Sequence, residues 1–252
     1  MNKRSGITLV GVIVVLFIFG VLFAVFFPAI SGHPMNARMT AVSARGRDIY
    51  VAIAGANAER EAVGLPPIWP SDAPPYTNHV TGKIECFDFE NSSDYFDYIN
   101  DGKNLGSDNW EPFISGFDFG KLAGAGIASH TGRGPLKAEN NMWTIAKNVS
   151  DEMDDIIPVL VTRNLDANYL YAKIEGTPTA ERIPLAKTWK TPFKRKGAVI
   201  IRKGGGAFIV RQKYATPMLI YNGQSFDADA NSKYPFKYLT PTEEVLPIAA
   251  NR

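Results

Sequence analysis

At 252 residues, 45% hydrophobic and 21% charged, the chain has the make-up of a folded protein with a substantial core, which excludes a disordered tail. Its formal net charge of +2 gives the molecule as a whole no reason to seek nucleic acid or an acidic surface. A single cysteine, Cys86, excludes an internal disulfide and a cysteine-built zinc cluster, so the fold must be held by packing, or by packing and a hard cation.

The chain opens with a six-residue stretch carrying Lys3 and Arg4, followed by 24 residues from Ile7 to Ile30 without a charge. At ~1.5 Å per residue the uncharged run reaches ~36 Å, enough for the ~30 Å hydrocarbon core of a bilayer. It is too long for the ~7–15 apolar residues of a secretory signal. Residues 7–30 are therefore expected to be a transmembrane helix. Orientation does not follow from positive charge alone, because Arg38, Arg45 and Arg47 stand on the far side of the run from Lys3 and Arg4.

Within this segment Gly6 precedes Ile7-Thr8-Leu9-Val10, and counting from Ile7 places Gly20 fourteenth and Pro28 twenty-second. The pattern resembles the N-terminus of prepilin-like proteins, the subunits of type IV pili and of the type II secretion pseudopilus. The resemblance spans residues 3 to 30 of the 252. It implies cleavage after Gly6 by a prepilin peptidase and methylation of Ile7, with Lys3 and Arg4 as the leader charge. It further implies that Thr8, Leu9, Gly11, Gly20 and Pro28 belong to one helix, which is first a membrane anchor and then a filament core. The implied partners are other pilin-like subunits, the peptidase, the membrane and an inner-membrane assembly platform. The implied location is a single-pass inner membrane protein with its head outside the cytoplasm, and afterwards a periplasmic or surface filament. Two positions depart from the family. Ile7 replaces phenylalanine, and Gly11 stands where the family carries a glutamate that neutralises a neighbour's N-terminus in an apolar core, where an unpaired charge costs several kcal/mol. Gly11 cannot do so, which implies a minor or tip subunit. A plain signal-anchored envelope protein is the alternative that the same apolar run allows.

Gly32 and Pro34 are expected to bend the helix. An amphipathic stem helix is then expected over residues 35–63, with Met35, Met39, Val42, Gly46, Ile49, Ile53 and Ala56 at spacings of three and four facing inward. Arg38, Arg45, Arg47, Glu59 and Arg60 fall largely off that line. Val63-Gly64 and Pro66-Pro67 end the helix. Residues 64–252 are expected to form the head. It starts with the proline-rich connection "GLPPIWPSDAPPY" and a short helix in "SSDYFDYIND", capped by Ser92 or Ser93, with Phe96 and Ile99 inward. "GAGIASHTGRGPLKAENN" reads as loop and Pro158–Thr162 as a strand. "GAVIIRKGGGAFIVRQK" reads as a hairpin, and "MLIYNGQSF" as a further strand with a turn at Asn222-Gly223. The expected fold class is α+β, a long N-terminal helix packed on a C-terminal antiparallel β-sheet.

Charge is unevenly placed. Residues 84–120 carry nine acids against Lys103, net −8, while residues 182–213 carry ten Lys/Arg and no acid. Contact between subunits would bring the two signs together. Lys194, Arg195, Lys196, Arg202 and Lys203 are the basic candidates for a subunit contact, or for DNA in a rival reading as a DNA-binding minor pilin, marked by salt-sensitive binding. Nucleic acid is not the expected partner. His33, His79 and His130 have neither metal-ligand nor nucleophile spacing with Cys86, no catalytic motif occurs, and Gly204–Gly206 lacks the Gly-Lys-Ser/Thr of a phosphate loop. No enzyme and no cofactor are expected. Calcium is the one metal whose ligands the sequence offers, through Asp97, Asp101 and Asp108 read as a loop starting at Asp97, although Ile99 stands where such a loop needs an oxygen.

Overall fold

The computed structural model describes residues 9–31, 33–101, 112–114, 119–123, 135–166, 182–185, 193, 196–221 and 237–241. These residues form an α+β fold. Helix α1 (Leu9–Ser31) and helix α2 (His33–Glu61) follow one another directly, and Gly32 between them lies outside the described residues. The short antiparallel pair β1 (Tyr76–Thr77) and β2 (Ile84–Glu85) precedes helix α3 (Ser92–Asp101). A five-stranded antiparallel sheet in the order β7-β6-β4-β3-β9 is built from β3 (Trp143–Lys147), β4 (Pro158–Thr162), β6 (Ala198–Arg202), β7 (Ala207–Val210) and β9 (Lys237–Leu239). Between these, β5 (Ile183–Pro184) pairs with β8 (Tyr214–Ala215), and a single helical turn, α4, covers Pro217–Ile220.

The central strands β3 and β4 are buried along their whole length, and β6 along all but its last residue. Strands covered on both faces need no polar alternation, and "PVLVT" and "AVII" are accordingly continuous runs of mostly β-branched residues. The hairpin expected around Gly204–Gly206 is present. Ile201 faces Ala207, the Gly206 carbonyl accepts from the Arg202 N–H at 2.8 Å, and Gly205 takes a φ of +75°, a conformation suited to glycine. The register of β4 on β6 shifts between Pro158 and Leu160, at the residue that has no N–H to give the ladder.

Helix α2 lies across β6 and β7. Its buried side runs through Met39, Val42, Ile49, Ile53 and Ala56, with Met35 half-buried, as the spacing predicts. Gly46 sets how closely it lies. A Cβ there would stand 2.5 Å from Trp143 Cη2 and 2.8 Å from Ile201 Cγ1, well inside any van der Waals separation. Gly197 is equally filled from the other side, by Met39 and the Val210 carbonyl.

Four expectations are corrected. Helix α2 ends at Glu61, and residues after it turn so that Gly64 adopts a φ of +72°. The cap of α3 is Asn91, whose Oδ1 accepts from the Asp94 N–H at 2.8 Å while its Nδ2 returns a bond to the Asp94 carboxylate. Ser92 and Ser93 are inside the helix and donate instead to the carbonyls of Trp143 and Pro241, tying α3 to β3 and to the end of β9. Pro217–Ile220 is helical and not a strand, and the turn at Asn222-Gly223 lies outside the described residues. Finally, Arg60 is on the buried stripe and not off it, only 8% exposed.

The uncharged backbone of α1 continues for 23 residues. Its side chains are described from Leu9 to Phe23, a rise of about 22 Å against the ~30 Å of a hydrocarbon core. Among the described residues no helix is long and apolar enough to cross a membrane. The helix expected at residues 7–30 is thus present from Leu9 on, and its membrane-spanning role is not established by it.

The close approach at Gly46 yields a paired prediction. Gly46→Ala should destabilise by about 1–3 kcal/mol through overpacking, despite alanine's better helix propensity. Gly55→Ala, exposed on the same helix with nothing within 4 Å of the added Cβ, should stabilise by roughly 0.5–1 kcal/mol. Thermal melts read both, at roughly 2–4 °C per kcal/mol for a protein of this size.

Candidate functional site

Three regions bring chemistry-bearing residues together. The first is α1. Every large side chain described in it is exposed, from Leu9 at 78% through Phe17 at 72% to Phe23 at 62%. Uncharged surface of this extent is not left facing water by a soluble monomer. Gly11 and Gly20 lie on this helix, and a Cβ at Gly20 would meet nothing within 4 Å. Pro28 lies in its last turns. Lys3, Arg4, Gly6, Ile7 and Thr8 lie outside the described residues.

The second is the basic hairpin β6–β7. Arg202 donates from Nη2 to the Ile220 carbonyl at 2.6 Å and its guanidinium carbon sits 5.2 Å from the centre of the Phe208 ring. Lys203 donates from Nζ to the carbonyls of Asp151 and Met153 at 2.9 and 2.8 Å, with the Asp155 carboxylate 3.8 Å away. Lys203 holds the hairpin against the connection before it, and Arg202 holds it against α4 after it. Lys196 is exposed, and Lys194 and Arg195 lie outside the described residues. The two oppositely charged segments do not meet in the ion pairs described: Glu85 pairs with Arg60, Asp88 with Lys147, and Lys203 with Asp155.

Of the calcium candidates, two lie among the described residues. Asp97 and Asp101 belong to one helix, α3, and Asp97 is 5% exposed, whereas a loop starting at Asp97 needs both residues in irregular backbone turned around a cation. Asp108 lies outside the described residues. Among the described residues no three of His, Cys, Asp and Glu stand together as a metal group.

The third region was not legible in the sequence. Arg60, at the end of the buried stripe of α2, reaches the β1–β2 pair. Its Nε donates to the Pro66 carbonyl at 2.7 Å and its Nη2 to Glu85 Oε2 at 2.6 Å and to the Tyr76 hydroxyl. Tyr76 in turn donates to Glu85 Oε2 at 2.6 Å, and Asn78 Nδ2 to Oε1 at 2.7 Å. The guanidinium carbon lies 5.6 and 5.5 Å from the ring centres of Phe87 and Phe113. Burial acts to raise the Glu85 carboxyl, but the bonds from Arg60, Tyr76 and Asn78 outweigh it and hold the group below its ordinary value. Burial and the bond to Glu85 push the Tyr76 hydroxyl far up, so it remains a donor. Beside this network opens a cleft of about 290 Å³, walled by the last turns of α2, the β1–β2 pair and Phe113.

A second ionic lock sits on the sheet. Lys147, at the end of β3 and 1% exposed, lies between the carboxylates of Asp72 and Asp88. Its cross-strand neighbour on β9 is Lys237, so the aspartates also relieve a like-charge pair. Burial would lower the Lys147 ammonium, yet the two carboxylates raise it above its ordinary value, while hydrogen bonds from Lys147 and Asn148 lower the Asp72 carboxyl.

Removing one partner of a buried pair strands the other. Glu85→Ala should cost about 3–5 kcal/mol in a denaturant melt, and the double change Arg60→Met with Glu85→Leu should recover much of it. Glu85 and Asp72 both titrate lower folded than unfolded. Their stabilisation is therefore complete above the unfolded values of about 4 and is lost as pH falls through the folded ones. Melts between pH 7 and pH 2 should show this decline, and Glu85→Gln should make it shallower. No known protein family, no characterised protein and no solved structure matches this chain.

Proposed function

We propose that the chain is a pilin-like structural subunit of a type IV pilus or type II secretion pseudopilus. In this reading it is inserted in the inner membrane by residues 7–30, cut after Gly6, methylated on Ile7 and assembled through the same helix. The observation that carries the reading is the contrast along the N-terminal helices. From Leu9 to Phe23 the large side chains are apolar and exposed, whereas α2 buries a stripe against the sheet. An apolar helix that its own head does not cover needs another apolar environment, and lipid followed by the helices of neighbouring subunits supplies two in succession. Gly11 in place of glutamate fits a minor or tip position, which has no subunit above it whose amine needs a counter-charge. The head is then a rigid α+β body carried at the end of α2, in a structural and non-catalytic role. The DNA-binding alternative draws less on Arg202 and Lys203, whose Nη2 and Nζ donate to carbonyls within the fold.

Mass spectrometry of the N-terminus of the protein from its native cell tests the reading. The expected result is a chain beginning at methylated Ile7, and Gly6→Leu should leave the leader attached. A chain still beginning at Met1 would overturn the pilin-like assignment in favour of a plain anchored envelope protein.

A further inference from the structure

The cleft at the end of α2 is built around an arginine only partly used. Arg60 commits Nε and Nη2 to Pro66, Tyr76 and Glu85. Its Nη1 makes no hydrogen bond among the described residues, yet it is not one of the enclosed atoms left without a partner. Arg60 lines the cleft, and its Nη1 carries two N–H donors not engaged elsewhere among the described residues. The guanidinium that carries them is fixed in its plane by three acceptors and seated on the Phe87 and Phe113 rings.

The charge around these donors decides what they can hold. Arg60 and Glu85 neutralise one another, and Glu85 has Arg60 and Tyr76 on one oxygen and Asn78 on the other. On the rim stand Glu59 and Lys83, again one of each sign. A lining with two cations and two anions favours neither an anion nor a cation. It offers donors from Arg60, an acceptor carboxylate from Glu59, and the Thr81 hydroxyl, with Pro112 and Phe113 as an apolar side. A hydroxyl, which donates and accepts at once, satisfies such a set without bringing in charge. The volume of about 290 Å³ sits at the lower end of ligand pockets, ~300–1,000 Å³.

We propose that this cleft binds an uncharged, hydroxyl-rich ligand of the size of one sugar ring, its hydroxyls on Arg60, Glu59 and Thr81 and its C–H face toward Phe113. The inference does not rest on the pilin-like reading, and the state of the N-terminus has no bearing on it.

The test uses the purified full chain in a detergent without a sugar headgroup. Methyl glucoside, methyl galactoside and N-acetylglucosamine are titrated by saturation-transfer NMR, with sodium acetate and ethylammonium chloride as charged counterparts. At least one sugar is expected to saturate with a Kd of about 1–10 mM, while neither ion does. Thr81→Trp, an exposed position at the mouth, should weaken that sugar about tenfold or more with the melting temperature unchanged. Glu59→Ala, on the exposed side of α2, gives the same reading without touching the core. The proposal is overturned if none of the three sugars saturates, if acetate or ethylammonium binds more tightly, or if the sugar binds both variants as it binds the parent.

Discussion

The contact of α2 with the sheet at Gly46 is the constraint on which the other arrangements depend. A helix normally stands off a sheet by the length of its side chains. Here the indole of Trp143 and the side chain of Ile201 occupy the space a Cβ would take, so the helix is brought down until its neighbours Val42, Ile49 and Ile53 are fully buried. That depth fixes the height of the C-terminal end of α2, and with it the position of Arg60. It also brings Arg45 to the Ala123 carbonyl and Tyr50 to the Lys203 carbonyl at the hairpin turn. The helix is thus pinned at several points along its length, and a head held in this way moves with the helix that carries it.

Two buried cations then organise the connections. Arg60 draws the proline-rich segment and the β1–β2 pair to the end of α2, and Lys147 draws Asp72 and Asp88 onto the sheet from either end of that same stretch. A proline-rich connection has few N–H groups with which to join a ladder, so its placement depends on side chains and on inserted apolar residues. Ile68 and Trp69, both buried, supply the second means, and Asn57 accepts the Ile68 N–H at 2.7 Å. In both locks the buried cation would be left uncompensated if its carboxylate partners were removed.

The N-terminal helices divide the labour that the proposed function requires. α2 has its apolar stripe satisfied by the sheet, whereas the described large side chains of α1, from Leu9 to Phe23, are left exposed by the head. Of the two oppositely charged segments, Glu85, Asp88 and Lys203 form ion pairs within the fold, and none of these pairs joins one segment to the other.

The elements carried by pattern were legible in the sequence alone. The stripe of α2, the strand Pro158–Thr162, the triple-glycine hairpin and the inward Phe96 and Ile99 all rest on local periodicity or turn chemistry, which a residue's near neighbours decide. The uncharged run from Ile7 was as plain, because the absence of charge over 24 residues needs no partner to be recognised. What the tertiary structure alone decided are the choices among local equals. Asn91, Ser92 and Ser93 are each competent caps, and the carbonyls of Trp143 and Pro241 claim the two serines. Arg60 reads as a solvated helix residue until Glu85, 25 positions later, is folded against it. Asp97 and Asp101 suit a cation loop in composition, but Tyr95, Phe96 and Ile99 between and beside them bury better as one face of a helix. Lys147 sits in a strand otherwise suited to the core and becomes tolerable only when Asp72 and Asp88 arrive from distant connections. Periodicity is a property of neighbours along the chain, whereas the worth of a charge or a cap depends on what lies across from it, and only the packed fold determines that.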